Sequence, residues 1–121
     1  MKRLSLLAIL TTLLVGRAHA DEPAAVVKTA AVVENREPSG ESAQWKRGDR
    51  VFVWSQVDNA EGRTIEHVWK RDGKEIRRAR FDIGSSRWRM SSRLSSAVPG
   101  SYDVAVTDGD NVLGSVHFVV E

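Results

Sequence analysis

Residues 50–57 read R-V-F-V-W-S-Q-V, and this stretch decides the fold class. It is rich in β-branched and aromatic residues, which favour a β-strand. The polar segment that follows, residues 58–62 (D-N-A-E-G), has the composition of a turn. Beyond residue 20, no stretch keeps apolar residues at helical spacing for three turns, and alternation with a period of two recurs instead. The sequence therefore predicts an all-β chain.

Six further segments flank this strand and have strand composition or alternation. They are residues 29–36, 64–71, 75–83, 88–93, 101–107 and 112–120. Turn signals separate them, among them Asp72-Gly73, where glycine tolerates the positive φ that a hairpin turn requires. About seven strands in roughly 100 residues are typical of an immunoglobulin-like β-sandwich. We predict such a sandwich, built of about seven antiparallel strands, with a small β-barrel as the alternative.

The N-terminus has the three parts of an export signal. Lys2 and Arg3 form a basic start, residues 4–15 are mainly apolar, and Ala18-His19-Ala20 supplies the small residues that signal peptidase requires. The apolar run is shorter than the roughly 20 residues that span a bilayer. We predict a signal peptide at residues 1–20 with cleavage after Ala20, and no transmembrane span after cleavage. The mature protein is then expected in the periplasm or outside the cell.

The remaining chain is predicted to hold a flexible lead-in at residues 21–28 and one domain at residues 29–121. Its charge differs from that of the whole sequence, which has 18 basic and 16 acidic residues. Removal of the leader removes Lys2, Arg3 and Arg17, which leaves 15 basic against 16 acidic residues, a net charge of −1. A near-neutral exported domain is not expected to bind nucleic acid. The absence of cysteine excludes disulfides and thiol chemistry.

The charges of this chain are unevenly distributed along it. Residues 70–93 contain nine basic and three acidic residues, a net charge of +6, whereas the rest of the chain after residue 20 carries −7. We predict that residues 75–83 and 88–93 form a hairpin with Ile83 opposite Trp88, because this register keeps the apolar side chains on one face. The solvent-facing surface would then carry Arg78, Arg80, Arg89 and Arg93. Arginine forks suit carboxylates, phosphates and sulfates, although a merely solvated sheet face is the other interpretation.

Signals for catalysis or metal binding are few. His67 lies between Ile65 and Trp69 on the predicted inward face, which indicates a buried, hydrogen-bonded histidine. No spacing of histidine and acidic residues supplies three zinc ligands, and no nucleophile motif is present. We therefore predict no catalytic residue, no metal site and no cofactor. Trp54 has the opposite parity to Val51 and Val53, so it is predicted to point outward, where it could contact a ligand.

Several motifs, in their order along the chain, resemble one family. These are Arg36-Glu37-Pro38, the H-x-W pair of His67 and Trp69, and R-W-R-x-x-S from Arg87 to Ser92. The segment 30–121 thereby resembles the bacterial domain-of-unknown-function family twenty-nine-fourteen. The resemblance implies a compact all-β module, exported or membrane-associated, with no established activity. It also implies that His67, Trp69, Arg87, Trp88, Arg89 and Ser92 form a shared constellation.

We predict from these observations a noncatalytic binding module of the bacterial cell envelope that uses an Arg-rich sheet face. Its partner would be an acidic glycan, a lipid headgroup or an acidic protein. The candidate binding residues are Arg78, Arg80, Arg87, Arg89, Arg93, Trp54 and Ser92, and the candidate structural residues are His67, Trp69 and Trp88. Two alternatives remain open, a small exported enzyme or metal-dependent hydrolase centred on His67 and a structural domain that assembles with itself.

Overall fold

The computed structural model describes residues 22–121. The predicted signal peptide and its cleavage site lie outside these residues. The described part of the chain contains no helix, and therefore none long and apolar enough to cross a membrane.

Ten strands occupy the described residues. They are β1 (Ala24–Ala30), β2 (Val32–Glu34), β3 (Glu37–Ser39), β4 (Gln44–Trp45), β5 (Val51–Asp58), β6 (Thr64–Arg71), β7 (Lys74–Asp82), β8 (Arg87–Leu94), β9 (Gly100–Asp108) and β10 (Asn111–Val120).

The strands form two sheets that face each other, with a small hairpin attached. One sheet has three strands in the order β1-β5-β8, and the other has five in the order β4-β10-β9-β6-β7. All pairings are antiparallel except that of β4 with β10. Strands β2 and β3 pair only with each other. Neither sheet closes on itself, so the predicted β-sandwich is confirmed and the barrel alternative is wrong.

Alternation along each strand produces the core between the sheets. Val51, Val53 and Val57 of β5 are fully buried and face the five-stranded sheet. From that sheet, Trp69 packs edge-on against Phe118, with ring centroids 6.2 Å apart. At one side, β10 approaches β1 so closely that a Cβ on Gly114 would lie 3.0 Å from Cγ2 of Val27. Glycine is therefore the residue that lets the two sheets meet there.

The start of the domain differs from the sequence prediction. Residues 24–28 do not form a flexible lead-in, because they belong to β1 and pair with β5. The predicted strand at 29–36 is also wrong, since β1 ends at Ala30 and the chain then enters the β2–β3 hairpin. The alternation of β1 is hidden in the sequence because apolar residues lie on both of its faces: Ala25 and Val27 are partly buried, whereas Ala24 and Val26 are exposed.

The predicted hairpin between residues 75–83 and 88–93 is likewise wrong. Strand β7 pairs with β6 in the five-stranded sheet, and β8 pairs with β5 in the three-stranded sheet. The short connection at residues 83–86 therefore crosses from one layer to the other. Alternation shows correctly which side chains face the core, but it does not show in which layer a strand lies. Phe81 and Trp88 thus face the interior from opposite sheets.

The only tyrosine of the sequence stabilises the start of β9. The Tyr102 hydroxyl donates a hydrogen bond to the Val98 carbonyl at 2.6 Å, and its ring stacks on Phe118 at a centroid distance of 4.8 Å. A tyrosine that bonds back to the backbone a few residues upstream is a recurrent feature of immunoglobulin-like sandwiches.

Replacement Tyr102→Phe should keep the stacked ring and lose the hydrogen bond. We expect the free energy of unfolding to fall by about 1 kcal/mol, because the Val98 carbonyl loses a protein donor. Urea denaturation measures this change. An unchanged denaturation midpoint would show that this hydrogen bond contributes nothing to stability.

Candidate functional site

A hydrogen-bonded cluster joins the two sheets inside the core. The imidazole of His67 on β6 contacts two hydroxyl groups of the opposite sheet: its Nε2 lies 2.7 Å from Oγ of Ser55, and its Nδ1 lies 2.7 Å from Oγ of Ser92. The indole Nε1 of Trp69 donates to the same Ser92 oxygen at 2.9 Å. We call these four residues the His67 cluster. His67, Ser55 and Trp69 are completely buried, and Ser92 is 7% exposed.

Burial fixes the charge state of the cluster. Desolvation lowers the pKa of His67 to about 4, so the ring is neutral at physiological pH. A neutral imidazole donates one hydrogen bond and accepts another, and the two serine hydroxyls satisfy both requirements. Both ring nitrogens are therefore engaged within the core and face no solvent. Across residues 22–121, no three histidine, aspartate or glutamate side chains are grouped as metal ligands would be.

The candidate arginines lie on two different surfaces. Arg78 and Arg80 extend from the outer face of the five-stranded sheet, whereas Arg87, Arg89 and Arg93 extend from the outer face of the three-stranded sheet. The single arginine face predicted from the hairpin register is therefore wrong, because that register does not form. Of the other candidates, Ser92 and Trp88 point inward from β8, and Ser92 belongs to the His67 cluster.

Carboxylates neutralise four of these five arginines, including Arg89, whose partner is Glu37. Arg78 contacts Glu75 at 2.7 Å and Glu66 at 3.2 Å, and its hydrogen bond lowers the pKa of Glu75. Arg80 lies 3.9 Å from the same Glu66. Arg87 binds Asp58 on the neighbouring strand at 2.9 Å. These side chains have acidic partners within the fold, which leaves them less available to an external anion.

The β2–β3 hairpin covers Trp54 on the outer face of β5. The indole Nε1 of Trp54 donates to the carbonyl of Arg36 at 2.9 Å, and the side chain is only 6% exposed. Trp54 does point outward from the core, as its parity predicts, but the hairpin shields it from solvent. It therefore anchors the hairpin and is not an open stacking platform.

The hairpin turn is strained at Arg36. Asn35 and Arg36 form its two central positions, with φ of 51° and 62°. Two-residue hairpin turns with positive φ at both positions prefer Asn-Gly, because a Cβ in the left-handed region costs about 1–2 kcal/mol. Asparagine at the first position follows this preference, whereas arginine at the second does not. The turn places Arg36 in the lining of the same cavity as Arg89.

Four arginines line two adjoining cavities along β8. A cavity of about 140 Å³ is lined by Val33, Arg36, Trp54, Arg89, Met90 and Ser91. The second, an open groove of about 280 Å³, is lined by Phe52, Arg77, Ser91, Ser92 and Arg93. Ser91 lines both, so the cavities adjoin each other along the strand. We call Arg36, Arg77, Arg89 and Arg93 the arginine strip.

The arginine strip has little internal compensation. Arg89 binds the carboxylate of Glu37 at 2.8 Å, and Arg77 donates from Nη1 to the Arg93 carbonyl at 2.5 Å. Within residues 22–121, the guanidinium groups of Arg36 and Arg93 have no carboxylate partner, and no acidic side chain lines either cavity. The strip is therefore a concentration of positive charge beside two open cavities.

Residues 62–120 match the family model for a protein of unknown function (DUF2914). The resemblance predicted from the motifs is thus confirmed over this segment. It contains β6 to β10, with His67, Trp69 and Ser92 of the cluster and three members of the arginine strip. The fourth arginine, Arg36, precedes the DUF2914 segment together with Trp54. The complete site therefore combines that segment with the strands before it.

Of two similar solved structures, one supports the same fold. An immunoglobulin-like protein from Pseudomonas aeruginosa is similar with a TM-score of 0.56 and 15% identity, covering 83% of this chain and 97% of its own. A β-glucosidase from Listeria innocua in complex with gluconolactone has a TM-score of 0.47 and 11% identity, covering 81% of this chain and 16% of its own. At these identities the likeness to the first concerns the fold alone. No curated protein matches the sequence.

Two members of the strip were not among the predicted binding residues. The sequence signal that could have identified Arg36 as a site residue is its position after Asn35, in a two-residue turn that joins a short apolar segment to a polar one. Arg77 has the parity of Ala79 and Phe81, which predicts an inward side chain. It escapes burial only because β7 is an edge strand, from which the long side chain reaches the backbone of β8.

Because the pKa of His67 is lowered in the folded state, the free energy of unfolding should fall as the pH decreases from about 6.5 to 4. The unfolded chain takes up the proton near the ordinary pKa of 6.5, whereas the folded state resists it until about 4. The contribution of the neutral ring is therefore complete above pH 6.5, and about 3 kcal/mol is lost by pH 4. Urea denaturation across this range measures the loss. In His67→Gln, which is neutral throughout, this part of the pH dependence should disappear; a slope equal to that of the wild type would refute it.

Replacement Arg36→Gly should increase the free energy of unfolding by about 0.5–1 kcal/mol, since glycine adopts positive φ without the Cβ penalty. Asn35→Gly is the matched control and should gain less, because asparagine already tolerates this conformation. Thermal denaturation of both variants tests the expectation. A destabilised Arg36→Gly variant would show that the side chain supports the fold and not only the site.

Proposed function

We propose that this protein is a noncatalytic binding module that recognises anionic groups through the arginine strip. One observation carries the proposal: four arginines line two adjoining cavities along β8, and within residues 22–121 only one of them, Arg89, binds a carboxylate. A surface whose charge served solubility alone would gain nothing from placing arginine in a strained turn beside a cavity. Strained backbone of this kind is concentrated at functional sites.

Arginine suits this role for reasons of geometry and hydration. Its guanidinium presents a planar fork of donors that binds carboxylate, phosphate or sulfate in a bidentate manner. Trp54 and Phe52 line the same cavities as these arginines, so their rings offer apolar surface near the arginine stems. The proposal differs from the prediction made from sequence in its residues. Arg78, Arg80 and Arg87 have acidic partners and line neither cavity, whereas Arg89 has the acidic partner Glu37 but lines the first cavity.

The export signal predicted at residues 1–20 supports a location in the cell envelope for this binding role. There the anionic partners would be acidic glycans, lipid headgroups or acidic proteins, which share the same charged groups. The alternative of a hydrolase centred on His67 finds no support in the geometry. Its imidazole is fully buried, and both nitrogens bond to serine hydroxyls, so no substrate reaches the ring.

The double variant Arg36→Ala/Arg93→Ala tests the proposal with a sulfated oligosaccharide and a polyglutamate peptide as probes. We expect each affinity to fall by at least about tenfold, because two unpaired guanidiniums are removed. Wild-type binding should also weaken as salt rises from about 0.05 to 0.5 M. Isothermal titration measures both effects.

Arg78→Ala/Arg80→Ala is the matched control, since it removes the same charge from the opposite outer face. We expect its affinity to stay within about twofold of the wild type. Equal losses in the two double variants would mean that only net charge matters and would overturn the assignment to the strip. Retention of wild-type affinity by Arg36→Ala/Arg93→Ala, with the thermal stability of both variants unchanged, would overturn the proposal itself.

A further inference from the structure

Strand β8 is an open edge of the three-stranded sheet. Among the strands of residues 22–121 its only partner is β5, and the β1-β5-β8 sheet ends with it. We propose that this edge accepts an extended segment of an acidic protein as a fourth strand. The inference rests on the proposed function and deepens it, because it names the class of anionic partner that the arginine strip would bind.

No residue in the described part of the chain bonds to the backbone groups at the centre of this edge. The Arg93 carbonyl accepts a hydrogen bond from Arg77 of β7, and the Arg87 carbonyl accepts one from Oγ of Ser85 at 2.8 Å. Both carbonyls therefore point away from β5. Because successive residues of an antiparallel strand alternate in direction, the N–H and C=O groups of Arg89 and Ser91 point to the same open side. The side chains of Arg77 and Ser85 thus cap the two ends of the edge and leave its middle free.

The side chains along the edge select an acidic strand. Arg89, Ser91 and Arg93 point outward on alternate residues, with a repeat of about 6.6–6.8 Å. A paired strand has the same repeat, and directly opposite side chains lie about 4.5–5.5 Å apart. Acidic residues at alternate positions of the incoming strand would therefore meet Arg89 and Arg93 in turn.

The inward side of the incoming strand would meet apolar surface. Trp88 and Leu94 on β8, and Phe81 on the facing edge strand β7, are only partly buried at the open side of the sandwich. Apolar residues at the remaining alternate positions would cover them. The partner segment is thus defined by its pattern, in which acidic residues alternate with apolar ones over the length of β8.

Three arguments favour such a segment over other occupants. A second copy of β8 would place arginine opposite arginine or Ser91, and like charges across strands are destabilising. A glycan or a lipid headgroup has no backbone with which to continue the hydrogen-bond ladder of Arg89 and Ser91. In constant-type immunoglobulin sheets, a fourth strand lies beside the third strand of the corresponding sheet. The position next to β8 is therefore compatible with the architecture.

Peptide binding to the wild-type protein tests the inference. The probe is a synthetic peptide of alternating glutamate and valine. It is compared with two N-methylated versions of the same peptide, one methylated on the amides of the glutamates and the other on the amides of the valines. A third peptide has the same composition with its glutamates and valines in two blocks. We expect the alternating peptide to bind at least about tenfold more tightly than the block peptide. One N-methylated version should lose at least about tenfold and the other less, because only one set of amides faces β8.

The replacement Ser91→Pro provides the test from the side of the protein, since it removes an edge N–H that no described residue bonds. It should weaken binding of the alternating peptide at least about tenfold more than it weakens binding of the block peptide, which cannot pair along the edge in the same pattern. If this variant does not fold, the N-methylated peptides decide the question on the wild type.

The outcomes separate this inference from the proposed function. Equal affinity for the alternating, block and N-methylated peptides overturns strand addition, while a tenfold loss in Arg36→Ala/Arg93→Ala would still sustain anion binding by the strip. If the affinities depend neither on salt nor on the arginines of the strip, the strand-addition inference and the proposed function are both overturned. Concentration-dependent dimerisation that Ser91→Pro abolishes, seen by sedimentation without peptide, would identify a second copy as the occupant and overturn the inference.

Discussion

The imidazole of His67, held between Ser55 and Ser92, is the interaction on which the rest of the structure depends. Buried polar groups are stable only when they are hydrogen-bonded, and here each sheet supplies the partners that the other requires. The contact from His67 to Ser92 also determines which side of β8 faces the core. Because side chains alternate along a strand, Ser91 and Arg93 must then face outward.

The outer surface follows from this orientation. Ser91, one of the outward residues of β8, lies opposite Trp54. The indole hydrogen bond of Trp54 holds the β2–β3 hairpin, and Arg36 of this hairpin lines the same cavity as Arg89. From the other sheet, Arg77 reaches the backbone of β8 and completes the strip. Strand β8 therefore contributes to the neutral His67 cluster on its inner side and to the cationic arginine strip on its outer side. The sandwich presents this strip without using a metal ligand or a catalytic group.

Much of the fold could be predicted because the alternation of apolar and polar residues along a strand shows which side chains are buried. The strands around residues 51–58, 64–71 and 100–108, the inward His67 and the outward Trp54 all follow from parity. Parity does not show in which sheet each strand lies, because Phe81 and Trp88 would face the core either in a hairpin or in opposite sheets. For the same reason the predicted arginine face combined Arg78 and Arg80 with Arg89 and Arg93. The role of Arg36 depends on a strained turn and on long-range packing against Trp54, which local sequence does not encode.

The state of the His67 ring tests the central claim most directly. Nitrogen-15 NMR of the histidine side chain should show a neutral imidazole, with one protonated and one unprotonated nitrogen, throughout the range from pH 7 down to about 5, because burial lowers its pKa to about 4. Slow exchange of the ring proton with solvent should accompany it. Titration of this ring near its ordinary pKa of about 6.5 would show that it is exposed to water, and would contradict a sandwich whose sheets are joined at His67.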